Sequence, residues 1–160
     1  MKNLITIIAL LFTVHFFAQT HEIIKHNGDK LVVNYIKTEN NLIYYAFPNS
    51  MEEHKISKYA VAQLTEKTKN NTTTVVSEKI TINEKANYND VITLQESETV
   101  GLKKVEDIKG YLGVAKGENR FALSEKGVLN LKQNAAQKGY QFIVITSNKK
   151  DNLKAVAYTY

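Results

Sequence analysis

The sequence predicts a mainly β chain that becomes α+β in its second half: a small five-stranded barrel, then an antiparallel sheet with one packed helix at about 122–138. Three observations carry this expectation. Short runs with period-2 alternation, separated by turn residues, fill residues 21–65. One stretch of helical period with a stop signal stands near the C-terminus. A Lys-, Asn- and Thr-rich break at 66–78 lies between them and reads as a linker, because it has little apolar surface to bury.

Composition narrows the classes. The chain has 160 residues, 43% hydrophobic and 23% charged, which is globular rather than disordered. With no Cys, it has no disulfide, thiolate zinc site, Cys nucleophile or lipid-anchoring cysteine. The net charge of +5 comes from 21 basic and 16 acidic residues, and every basic residue except Arg120 is Lys. Nucleic-acid sites favour the planar fork of Arg, and no basic run or aromatic ladder occurs, so no nucleic-acid partner is expected.

Residues 1–18 read as a secretory signal peptide. Lys2 supplies the positive start, residues 4–17 are an apolar run of 14, and Ala18 is the small residue before a cut at Gln19. The run is short of the ~20 residues that span a bilayer, and no second apolar segment follows. The expectation is a periplasmic or secreted chain, cleaved near Ala18, with no membrane span afterwards. The leader's opening and its Phe16-Phe17-Ala18-Gln19 end resemble signal peptides of the Bacteroidetes.

Each strand of the first unit, residues 20–65, has a local reason. Ile23 and Ile24 mark the first. Asn27-Gly28 is a strong hairpin signal, because both residues tolerate positive φ. Leu31, Val33 and Tyr35 then alternate against Val32 and Ile36. Glu39-Asn40-Asn41 is a second turn. Residues 42–47 (LIYYAF) are β-branched and aromatic, and Pro48-Asn49-Ser50 ends them. His54 to Ile56 is a fourth strand, residues 57–60 fit one helical turn, and Val61 to Leu64 close the set. Five short strands in so few residues pack most economically as one bent sheet closed on itself. The run HEIIKHNGDKLVVNYIKTENNLIYYAF followed by HKISKYAVAQL resembles a small-barrel module of exported Bacteroidetes proteins. The resemblance implies a Src-homology-like or Sm-like barrel and no defined ligand.

The second unit, residues 79–160, is expected to be α+β. Strands are read at 79–83 (KITIN), 90–94 (DVITL) and, long and mostly extended, at 100–115, where Gly101, Gly110 and Gly113 suggest bends. Ser124 is the expected N-cap of a helix reaching Lys138, with Val128, Leu131 and Ala135 as its buried stripe and Gly139 as its C′ residue. Residues 140–146 (YQFIVIT) and 153–160 are the closing strands. The fragment ALSEKGVLNLKQNAAQKGYQFIVIT, with the later LKAVAYTY, resembles the YbjQ-like heavy-metal-binding domain family. Ala135, Ala136, Gly139, Val144, Ala157 and Tyr158 carry the match. The resemblance implies the fold and self-assembly through 79–160. It carries over no metal site, since the chain lacks Cys.

Catalytic motifs are missing from the sequence: there is no G-x-S-x-G, H-E-x-x-H, P-loop or G-x-G-x-x-G. His21, His26 and His54 are weak metal candidates, since His21 and His26 fall on opposite faces of one strand. Glu52-Glu53 reads as a loop tip; Glu96, Glu98 and Glu106-Asp107 would converge if the strands of the second unit pair, and read first as a solvated edge. Tyr35, Tyr44, Tyr45 and Tyr59 are the candidate partner-binding aromatics, because Tyr joins an apolar face to a polar tip. The expected function is a non-enzymatic exported envelope protein, a binding or assembly module for an unknown protein or envelope partner, with no cofactor. The alternative is a small-ligand or metal-binding protein of the periplasm.

Overall fold

The computed structural model describes residues 20–67, 71–111, 120–149 and 152–160. The expected leader and Gly113 lie outside them. Among the described residues no helix is long and apolar enough to cross a membrane. Among the described residues the chain is mainly β with one long helix, in two sheets.

The first sheet contains β1 (Thr20–Lys25), β2 (Lys30–Glu39), β3 (Leu42–Ala46), β4 (Glu53–Ser57), β5 (Val61–Glu66) and β6 (Thr72–Val75). Its order is β4-β3-β2-β1-β5-β6, and every pair is antiparallel. The two turns form as their residues dictate. Gly28 adopts φ +93, and Asn40 and Asn41 adopt φ 50 and 62, the two positive values of a type I′ hairpin closed by the Glu39–Leu42 pair. A 3-10 turn, Lys58–Ala60, capped by the Ser57 hydroxyl, joins β4 to β5. Ile23, Val33, Ile43, Tyr45, Ile56, Ala60 and Val61 form the core, while Val32 and Ile36 stay exposed, as alternation requires.

All five expected strands are present, yet no ladder joins β4 to β5 among the described residues. Instead β6 covers the outer edge of β5. It arises within the segment expected to be a linker. Its threonines are polar but β-branched, which suits an exposed edge strand, and Thr73 meets Thr65 hydroxyl to hydroxyl at 3.0 Å.

The second sheet contains β7 (Ile92–Thr93), β8 (Lys103–Gly110), β9 (Phe142–Lys149) and β10 (Asn152–Thr159), in the order β7-β9-β10-β8. It is mixed rather than antiparallel, because β7 runs parallel to β9. Residues 79–83 join no ladder: the Ile80 amide donates to the Tyr160 hydroxyl at 2.9 Å and Ile82 is buried in the core. Helix α1 (Arg120–Gln137) packs on this sheet. Leu131, Ala135 and Ala136 meet Ile108, Ile143, Leu153, Ala155 and Ala157. Gly127 allows the close approach, since a Cβ there would stand 2.5 Å from Asn148 Oδ1 and 2.9 Å from Leu153 Cδ2. The helix begins before Ser124, so Ser124 is not its cap; its hydroxyl and carbonyl accept from Asn148 Nδ2 instead. The expected end does form. Gly139 has φ +77, its amide donates to the Ala136 carbonyl, and the Tyr140 amide donates to the Ala135 carbonyl, which is the Schellman pattern.

The two sheets are clasped. The Ser57 amide donates to the Val100 carbonyl at 2.8 Å, and Leu102 packs on the first core. Gly101, at φ +88, lies so close that a Cβ would stand 2.6 Å from Ile56 Cγ1. Further along the seam, Phe142 is fully buried, with ring centroids 5.9 Å from Tyr59 and 5.2 Å from Tyr160, and Tyr160 is 4.6 Å from His26.

Candidate functional site: a polar cleft at the seam

The four tyrosines do not share one patch. Tyr45 is buried, stacked on His54 and edge-on to Phe47. Tyr35 is half-buried against His21, its hydroxyl donating to Thr38. Tyr59 belongs to the aromatic seam, where burial, and after it the charge of Glu98, raises its phenol pKa. Tyr44, one residue out of phase with the core positions Ile43 and Tyr45, stands on the opposite face of β3. The registers place Lys37 and Lys55 directly across from it on β2 and β4, and the Lys37 ammonium lies 5.0 Å from its ring centroid. The histidines likewise separate, each with a different aromatic neighbour, and no group of three metal-ligating side chains occurs among the described residues.

Tyr44 and Lys55 form one wall of a cleft of about 410 Å³. The β2–β3 turn and the 3-10 turn Glu96–Thr99 of the second unit supply the rest. The site is therefore built by both units. Its base is a bridge between them: Asn41 Nδ2 donates to Glu98 Oε1 at 2.5 Å, and the Gln95 amide donates to Glu98 Oε2 at 2.7 Å. The Asn41 carbonyl in turn accepts from the Lys58 amide. Glu98 is only 8% exposed. A carboxylate removed from water needs strong donors, and the amide side chain and the backbone N–H provide them. The edge-charge reading therefore fails for Glu98, which faces the seam. Glu106 is also engaged, accepting from Lys138 at 2.7 Å and from the Tyr140 hydroxyl at 2.9 Å, which hold its carboxyl below the usual range.

A second polar cleft, of about 360 Å³, lies between α1 and β8. Two of its four side-chain amides are engaged: Asn130 accepts from the Tyr111 amide and Asn134 donates to the Lys109 carbonyl. In the seam cleft, Gln95 and Ser97 are exposed and line the opening.

The structure also pairs two residues that sequence reasoning did not connect. His26 Nε2 lies 2.9 Å from Ser77 Oγ, across 51 positions of sequence. A serine nucleophile needs a base that takes its proton. Here the Ser77 hydroxyl donates to the Val61 carbonyl at 2.8 Å, so its one proton is engaged and Nε2 acts as the donor. The charge acting on the imidazole is that of Lys79, which together with burial, the larger cause, lowers the His26 pKa. This arrangement pins the chain after β6 to the first sheet; it does not activate an oxygen.

No protein family, curated protein or solved structure matches the chain.

Proposed function

We propose that this chain is a non-enzymatic exported binding protein of the cell envelope, and that the seam cleft is its ligand seat. The observation that carries the reading is the Asn41–Glu98–Gln95 bridge. It fixes polar groups from two units around one concavity, so little ordering remains to be done on binding. The groups around the opening offer hydrogen bonds and an aromatic wall, which is the chemistry of recognition. Export rests on the leader at 1–18. The reading of 20–65 as a closed Src-homology-like barrel is part of the proposal, supported by the order β4-β3-β2-β1-β5 and the 3-10 turn between β4 and β5.

Fractionation tests the export half. The chain expressed from Met1 in a Gram-negative host should appear in the periplasm or medium with a new N-terminus at Gln19. Retention in the cytoplasm at full mass would refute it.

A further inference from the structure

We infer that the ligand of the seam cleft is a saccharide, a hydroxyl-rich molecule of one or two rings; the inference rests on the binding reading above. Size sets the first limit. About 410 Å³ lies within the ~300–1,000 Å³ range of small-molecule sites.

The lining sets the second limit. Asn41, Gln95 and Ser97 each carry both donor and acceptor capacity, and Glu98 adds acceptor lone pairs beyond the two donors it already binds. A sugar hydroxyl donates and accepts at one atom, so it satisfies any of these groups. An apolar ligand would leave them desolvated and unpaired, which is unfavourable. A purely anionic ligand would meet the Glu98 carboxylate, and a purely cationic one would meet Lys55. A neutral polyol skeleton conflicts with neither.

Tyr44 supplies the third element. Tyr44 lines the cleft, and a tyrosine ring offers an apolar surface against which the C–H bonds of a pyranose pack; the Lys37 ammonium lies 5.0 Å from its centroid and leaves the other face for the ligand. Asn40, in left-handed backbone at the turn, adds an amide at the opening.

The test is a ¹⁵N-detected titration of the purified chain, expressed from Met1, with N-acetylglucosamine, glucuronate and maltose, and separately with acetyl-trialanine amide. The reporters are the Asn41 side-chain amide and the backbone amides of Gln95 and Ser97. At least one saccharide should shift all three reporters saturably. Tyr44→Ala should weaken that binding about tenfold or more while its amide spectrum stays that of the folded chain, and Tyr44→Phe retains binding. If only the peptide moves the reporters, the saccharide assignment falls and the cleft stands as a binding site. If none of the four ligands moves them, both readings fall. Saccharide shifts confined to other residues would overturn the placement of the site.

Discussion

Replacing Gly101 by Ala probes the contact that joins the two units. Gly101 has φ +88, and its missing Cβ would lie 2.6 Å from Ile56 Cγ1, 2.9 Å from Ile56 Cδ1 and 3.4 Å from Ala60 Cβ. Gly28 is a matched control, with φ +93 and nothing within 4 Å of its Cβ position. A side chain in left-handed backbone costs about 1–2 kcal/mol, and Gly28→Ala should lose that alone. Gly101→Ala adds the overpacking of the seam, another ~1–3 kcal/mol, for a total of ~2–5 kcal/mol. Urea unfolding reads the difference. With a slope of ~1–3 kcal/mol/M, the two midpoints should separate by on the order of 1 M. Equal losses, within ~0.5 kcal/mol, would mean that Ile56 does not face Gly101 in solution.

Three further outcomes follow from the same geometry. The lowered His26 pKa means that the unfolded chain takes up its proton first as pH falls below the ordinary value of ~6.5, so this contribution to stability is present above that pH and is lost on acidification. The drop in urea midpoint between pH 7.5 and 5.5 should therefore be smaller in His26→Gln than in the parent, and equal drops would refute the reasoning. Gly127→Ala should lower the melting temperature despite the ~1 kcal/mol helix-propensity gain of Ala, because the added methyl strikes Asn148 and Leu153; a rise would show that α1 can lift from the sheet. Phe142→Ala should lose ~3–5 kcal/mol in the same unfolding assay, and a loss below ~1 kcal/mol would contradict its complete burial between Tyr59 and Tyr160.

Features with local causes were legible in the sequence. Asn-Gly and Asn-Asn marked two hairpins, and Gly139 marked the end of the helix. What was missed depended on distant partners or competing propensities. β6 looked like a linker because Thr is polar, although its branched Cβ favours a strand once β5 offers an edge. Residues 79–83 alternate like a strand, but the Tyr160 hydroxyl takes the amide of Ile80. Glu98 resembled any surface carboxylate, and only the turn 57 positions earlier, carrying Asn41, gives it a place in the interior. The Ser77–His26 pair had no motif to announce it. The tyrosines were conspicuous as a set, yet only Tyr44 reaches the cleft, because strand phase and the seam assign the other three elsewhere.

The central claim is that the two sheets are docked along one seam and jointly form the cleft. A nuclear Overhauser measurement between the Ile56 side-chain protons and the Gly101 α-protons tests it most directly, because Gly101 packs against Ile56 across that seam. A clear cross-peak is the predicted result. Its absence, with both resonances assigned and sharp, would contradict the docking and with it the shared cleft.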